Sequence, residues 1–103
     1  MEEKESFLKQ KIDVDSPNKN IVPITTSIGS DGKLSIGGCS IEELVKKYDS
    51  PLYILDEVTL RNSCRAYKKA LEKYYPGNSL PIYASKANSS IFMSNLVSSE
   101  GLG

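Results

Sequence analysis

The most informative segment of this chain reads Tyr83-Ala84-Ser85-Lys86-Ala87-Asn88. It follows an apolar run that begins at Leu80 and precedes two serines and a second apolar run. This order predicts a short buried strand over residues 80–87, followed directly by a helix. Side chains alternate between the two faces of a strand, so Ile82, Ala84 and Lys86 would share one face.

Lys86 is the candidate functional residue of this segment. On the predicted strand its stem would lie along an apolar wall, and its amine would emerge at the C-terminal end. Partial desolvation there would lower the pKa of the lysine, so that more of the amine is neutral and nucleophilic. Such an amine attacks an aldehyde and forms a Schiff base. A lysine at a strand end can also simply extend into solvent, so the functional interpretation depends on the neighbouring residues.

The residues around Lys86 resemble a known sequence motif. Tyr-Ala-Ser-Lys-Ala resembles the lysine motif of the alanine racemase-type pyridoxal-phosphate enzymes, whose relatives include the barrel-containing basic amino-acid decarboxylases. Among these, the chain is most similar to the diaminopimelate decarboxylase family. The similarity extends over about residues 34–103, in the same order, through Ser35-Ile36-Gly37-Gly38-Cys39, Leu44-Val45-Lys46-Lys47-Tyr48, Pro51-Leu52-Tyr53-Ile54-Leu55-Asp56 and Glu100-Gly101-Leu102-Gly103. The ordered set is more specific than the lysine motif alone.

The resemblance implies an α/β fold, namely the N-terminal part of a (β/α)₈ barrel preceded by strands that belong to a β-domain. It gives Lys86 both a catalytic and a cofactor-binding role, as the residue that binds pyridoxal 5′-phosphate covalently. The implied reaction is decarboxylation of meso-2,6-diaminopimelate to L-lysine, the last step of lysine biosynthesis. It further implies a homodimer for the full-length protein.

Two alternatives stay open at this point. One is another enzyme of the same barrel type, an ornithine or arginine decarboxylase or an amino-acid racemase. The segment Gly37-Gly38-Cys39 favours the diaminopimelate enzyme over these. The other is a non-catalytic pyridoxal-phosphate carrier, which lacks the second domain that residues 21–38 resemble.

Length suggests how much of such a protein is present. The chain has 103 residues, whereas a (β/α)₈ barrel needs roughly 250. We therefore expect a fragment that is inert by itself. Residues 1–20 are predicted to form a mobile polar arm and residues 21–38 the strands of a β-domain completed later. Residues 39–103 would supply the first βα units of a pyridoxal-phosphate-binding barrel.

The charge balance of the chain bears on which classes of molecule it binds. The 13 basic and 13 acidic residues balance, which does not favour nucleic acid or anionic membranes as partners. No apolar run reaches the roughly 18 to 20 residues of a membrane span, and the acidic N-terminus does not resemble a secretory signal or transit peptide. We expect a cytoplasmic protein with an amino-acid substrate. Without histidine, and with Cys39 and Cys64 far apart, no metal site is predicted, and both cysteines are expected to be buried and reduced.

Local signals place the first elements. Pro23 makes residues 21–28 an edge or irregular strand, and the Asp-Gly turn at residues 30–33 leads into a short strand at residues 34–36. Ser40 opens a capping box and a helix that ends before Pro51. An apolar run then predicts a strand at residues 51–55.

The second half is predicted to be dominated by one long helix, residues 57–74, with Asp56 as its N-cap rather than a catalytic acid. One apolar stripe runs along it through Leu60, Cys64, Tyr67, Leu71 and Tyr74. Its basic residues, among them Arg61 and Arg65, are predicted to form a solvated outer face. A last helix, capped by Asn88 or Ser89, is expected to bury Ile91, Phe92, Leu96 and Val97. Strands alternating with helices predict a parallel sheet.

Overall fold

The computed structural model describes residues 17–103, which contain both helices and strands. In chain order the elements are strands β1 (Ser27–Ile28), β2 (Leu34–Ile36) and β3 (Cys39–Ser40), helices α1 (Ile41–Tyr48) and α2 (Glu57–Tyr74), a 3₁₀ turn (Ser85–Ala87) and helix α3 (Ile91–Ser99). The predicted arm lies outside the described residues up to position 16, and residues 17–20 form an exposed turn. No helix of the described range is long and apolar enough to cross a membrane.

The chain divides into two compact units. One ends at Thr59 and contains the sheet and α1, and the other comprises Leu60–Gly103. The division therefore falls inside α2. The predicted boundary between residues 38 and 39 stays a prediction, although β3 begins at Cys39 and pairs with β2.

The sheet of the first unit is antiparallel, with strand order β1-β2-β3. Ile28 lies opposite Leu34 across the β1–β2 pair. The turn between these strands is the one predicted from the Asp-Gly signal. Gly32 adopts a φ of 77°, which favours glycine, and the Lys33 amide donates to the Asp31 carboxylate at 3.0 Å. The predicted hairpin is confirmed.

Residues 21–26 form turns and not an extended strand. Pro23 has no amide hydrogen to donate to a ladder, and its carbonyl accepts hydrogen bonds from the Thr26 amide at 3.0 Å and the Thr26 hydroxyl at 2.6 Å. The buried hydroxyl of Thr25 accepts from the Gly37 amide at 2.9 Å. Partners outside a strand ladder thus satisfy these polar groups, and only Ser27–Ile28 is strand.

Both predictions about helix N-caps are confirmed. The Ser40 hydroxyl accepts from the Glu43 amide at 3.5 Å at the start of α1. The Asp56 carboxylate accepts from the Thr59 amide at 3.1 Å in the first turn of α2. A side-chain cap of this kind contributes about 1 kcal/mol, because it satisfies an amide that has no partner inside the helix.

The core of the second unit lies between α2 and α3. Its buried members are Cys64, Met93, Leu96 and Val97, against which Leu60, Tyr83 and Leu102 pack. The prediction that the apolar stripe of α2 includes Tyr67 and Tyr74 is wrong, since these two side chains are 68% and 74% exposed. Leu60 and Leu71 of the same stripe are half-buried and Cys64 is buried, so the covered part of α2 leaves out the two tyrosines.

The start and the buried face of helix α3 differ in part from the prediction. It begins one residue later than expected, with Ser90 as N-cap and its hydroxyl accepting from the Met93 amide at 3.3 Å. Leu96 and Val97 are buried as predicted. Ile91 is 80% exposed and Phe92 is 45% exposed, so both of those predictions are wrong. Residues 93, 96 and 97 share one side of a helix, while residue 91 falls on the opposite side.

The predicted strands at residues 51–55 and 80–87 are also wrong, because neither segment is a strand in the structure. A strand requires a neighbour for its amides and carbonyls. Residues 80–84 have such a neighbour at one position. The Gly103 amide donates to the Pro81 carbonyl at 3.0 Å, and the Tyr83 amide donates to the Gly103 carbonyl at 2.8 Å. This is the bonding pattern of a parallel pair, but it extends over a single residue.

Candidate functional site

Lys86 is the middle residue of the 3₁₀ turn Ser85–Ala87. The Ala87 amide donates to the Ala84 carbonyl at 3.1 Å and closes this turn. Lys86 is exposed, and no hydrogen bond or ion pair joins its side chain to any of residues 17–103. The amine is therefore accessible to a reactant from solvent.

The apolar wall predicted beside Lys86 is not formed within residues 17–103. Ile82 is 76% exposed and Ala84 is exposed. The chain is extended at Ala84 but then turns, so the alternation of a strand does not continue to Lys86. Lys86 lies two residues after Ala84, which is extended, but it does not lie at the end of a strand as predicted, and it is exposed.

The residues on both sides of Lys86 are held in place. The Tyr83 hydroxyl donates to the Asn88 carbonyl at 2.9 Å, and the Tyr83 ring packs against the core of the second unit. The Asn88 side-chain oxygen accepts from the Ser90 amide at 3.1 Å, directly before α3. The backbone of the turn is thus anchored, while the Lys86 side chain stays free.

An ion-pair network lies elsewhere in the second unit. Glu100 accepts hydrogen bonds from Arg61 at 2.8 Å and from two nitrogens of Arg65 at 2.9 Å. These bonds, first from Arg65 and then from Arg61, hold the pKa of the Glu100 carboxyl below its ordinary value, because they favour the charged form. The prediction of a solvated basic face is confirmed at Arg65, which is exposed although it is paired, and is wrong at Arg61, which is half-buried. The sequence signal was two arginines four residues apart on one helix, but it did not identify their partner.

The first unit contains a mainly apolar cleft of about 330 Å³, lined by Ile36, Gly37, Cys39, Leu44, Tyr48, Leu52, Tyr53, Ile54, Leu55 and Asp56. The Asp56 carboxylate in it is bonded to Thr59, which confirms the capping interpretation.

Cys39 is exposed and Cys64 is buried, both as free thiols, so the predicted burial is right only for Cys64. Among the described residues, no group of three metal-ligating side chains is close enough to share an ion. The functional role of Lys86 stays a prediction, and the structure shows that its side chain is exposed.

Comparison with known proteins gives a consistent result. No protein-family model matches the chain, and no solved structure matches it. Over 88 residues the chain is 49% identical to the diaminopimelate decarboxylase of a Synechocystis species, a match that covers 85% of this chain and 19% of that protein. This chain is similar to diaminopimelate decarboxylase. The proteins of that name from Bacillus methanolicus and Bacillus subtilis are 38% and 39% identical, over 76% and 69% of the chain.

The match to diaminopimelate decarboxylase confirms the resemblance inferred from the lysine motif. The chain spans about a fifth of the length of the curated relatives that it matches. It therefore corresponds to one part of a diaminopimelate decarboxylase, and most of the length of such a protein has no counterpart in these 103 residues.

The residues present fit a cofactor that carries an aldehyde, as the resemblance to diaminopimelate decarboxylase implies. The amine of Lys86 is primary, exposed and unpaired within residues 17–103, so an aldehyde can reach it. Residues 17–103 do not supply the desolvation that favours the neutral, nucleophilic form of a lysine. Ala84 precedes the turn and Ala87 is its last residue, and the side chain of each has a single carbon. Arginine could not replace Lys86, because a guanidinium stays protonated.

Proposed function

We propose that the protein containing this segment is a diaminopimelate decarboxylase, which converts meso-2,6-diaminopimelate to L-lysine in the last step of lysine biosynthesis. The observation that carries the proposal is the match to five curated proteins of that name. The accessible amine of Lys86, inside the motif that first suggested the family, supports it.

The segment has a defined place in the proposed enzyme. We assign residues 21–38 to the strands of a β-domain and residues 39–103 to the first units of a pyridoxal-phosphate-binding (β/α)₈ barrel. The single parallel contact between Tyr83 and Gly103 supports this assignment, because barrel strands pair in parallel. We further propose a cytoplasmic homodimer.

Lys86 has the central role in the proposed site. Pyridoxal 5′-phosphate, when bound, supplies a conjugated ring that accepts the electron pair left at Cα when carbon dioxide departs. The Nζ atom of Lys86 holds the cofactor at its aldehyde carbon. Because Nζ has no ion-pair partner among residues 17–103, it can bind or be released without breaking another contact. The anchored backbone of the turn keeps this atom in one region of space.

The remaining functional groups have to come from other parts of the protein. The segment has no histidine, so an imidazole that stacks on the cofactor ring lies outside it. Glu100 is already paired with two arginines, and Asp56 caps α2. We therefore propose that these 103 residues are catalytically inert alone.

The test is the variant Lys86→Ala in the full-length protein. Borohydride reduction of the wild-type holoenzyme should attach the cofactor to the peptide that contains Lys86, and mass spectrometry locates it. Lys86→Ala should lose this label and nearly all release of carbon dioxide. Because Lys86 is exposed, its removal leaves no cavity and the fold should be retained.

Lys69→Ala is the matched control, since Lys69 is also an exposed lysine of the second unit. It should keep both the label and the activity. Normal turnover by Lys86→Ala, or a label on Lys68 or Lys73, would show that another lysine has this role. A panel of meso-diaminopimelate, ornithine and arginine measures the substrate preference, and faster turnover of either of the last two would contradict the proposed substrate.

A further inference from the structure

Tyr83 is held at three separate points. Its amide donates to the Gly103 carbonyl at 2.8 Å, its ring packs against the buried cluster of Cys64 and α3, and its hydroxyl donates to the Asn88 carbonyl at 2.9 Å. Tyr83 is half-buried, unlike Tyr67 of the same unit, which is 68% exposed. The phenol is therefore a rigid link between the core and the far end of the Lys86 turn.

The hydroxyl bond encloses the turn. Tyr83 and Asn88 stand on either side of residues 84–87, and the inner bond from the Ala87 amide to the Ala84 carbonyl lies within this bracket. A 3₁₀ turn has poorer hydrogen-bond geometry than an α-helix and is used in short pieces. One internal bond alone would leave such a turn free to open at its C-terminal side. The outer bond opposes this opening, because it ties the Asn88 carbonyl to a ring that the core immobilises.

We propose that Tyr83 is a positioning residue for Lys86, and that its hydroxyl acts by keeping the turn closed, so that the backbone of Lys86, from which the amine extends, stays in one place. This inference rests on the proposed role of Lys86. The contribution of the Tyr83 hydroxyl is distinct from packing, because the ring makes the contacts with the core and only the hydroxyl reaches Asn88.

Tyr83→Phe in the full-length protein separates the two contributions, because phenylalanine keeps the ring and removes the hydroxyl. Tyr67→Phe is the matched control, which deletes the same atom from an exposed tyrosine on α2. Two quantities are measured: hydrogen exchange at the Ala87 amide, and the rate at which the apoprotein captures pyridoxal 5′-phosphate in a borohydride-stable form on Lys86. Loss of one neutral hydrogen bond should speed the exchange by about two- to tenfold. The capture rate should fall by a similar factor, and neither should change in Tyr67→Phe.

The outcomes are distinguishable. A wild-type protein with no label on Lys86 refutes the proposed function and this inference with it. A wild-type label on Lys86 that Tyr83→Phe acquires at the normal rate leaves the proposed function intact and overturns the role of Tyr83, whatever the exchange shows. Should Tyr83→Phe not fold, Ser89 is replaced by its α-hydroxy acid, so that the Asn88 carbonyl becomes that of an ester and accepts more weakly. The same faster exchange and slower capture are then expected, and unchanged rates would overturn the inference.

Discussion

Leu96→Ala tests the core on which the Lys86 turn depends. Leu96 is the most deeply buried residue of the second unit, at 2% exposure, among Cys64, Met93 and Val97. Truncation of a buried leucine to alanine costs about 2 to 5 kcal/mol, depending on how far the surroundings collapse. This core has only four buried members, and the residues that pack against it are partly buried, so the surroundings can collapse and we expect a cost of about 2 to 3 kcal/mol, near the lower end of that range.

Hydrogen exchange across α3 measures this cost. A loss of 2 to 3 kcal/mol corresponds to exchange that is about 30 to 150 times faster, since each 1.4 kcal/mol is a factor of about ten. Ile91→Ala is the matched control, because it removes a similar side chain from the same helix at a position that is 80% exposed. Alanine also has the higher helix propensity, so this variant should be neutral or slightly protective. Similar acceleration in both variants would refute the assignment of the buried face of α3.

Two further predictions concern charged groups. The lowered pKa of Glu100 means that its pairing with Arg61 and Arg65 stabilises the fold above the ordinary value of 4.5, and that this stabilisation is lost as the pH falls through the lower folded value. Far-UV circular dichroism during acidification should show this loss of stability in the wild type. Glu100→Gln should be less stable than the wild type at neutral pH and equally stable in acid. The same difference in stability at every pH would contradict the pairing. Asp56→Ala should destabilise α2 by about 1 kcal/mol, because it removes the N-cap. Faster hydrogen exchange in the first turn of α2 measures this loss. Asp56→Asn keeps an acceptor for the Thr59 amide, so its exchange should stay close to that of the wild type.

The sequence alone determined the features that depend on near neighbours. The Asp-Gly turn, the caps at Ser40 and Asp56, and the bounds of α2 all follow from interactions within about four residues, which a sequence displays directly. The lysine motif and the ordered segments that accompany it likewise carry the family resemblance and indicate Lys86 as the candidate residue.

Only the tertiary structure decided which surfaces are covered. The strands expected at residues 51–55 and 80–87 lacked neighbours, and a ladder is a property of two segments and not of one. Ile91 and Leu96 have similar side chains on one helix, yet one is exposed and the other buried, because the position of α2 decides which side of α3 is covered. The pairing of Arg61 and Arg65 with Glu100 and the bond from Tyr83 to Asn88 required the same information, since each joins groups whose proximity is created by the path of the chain in space.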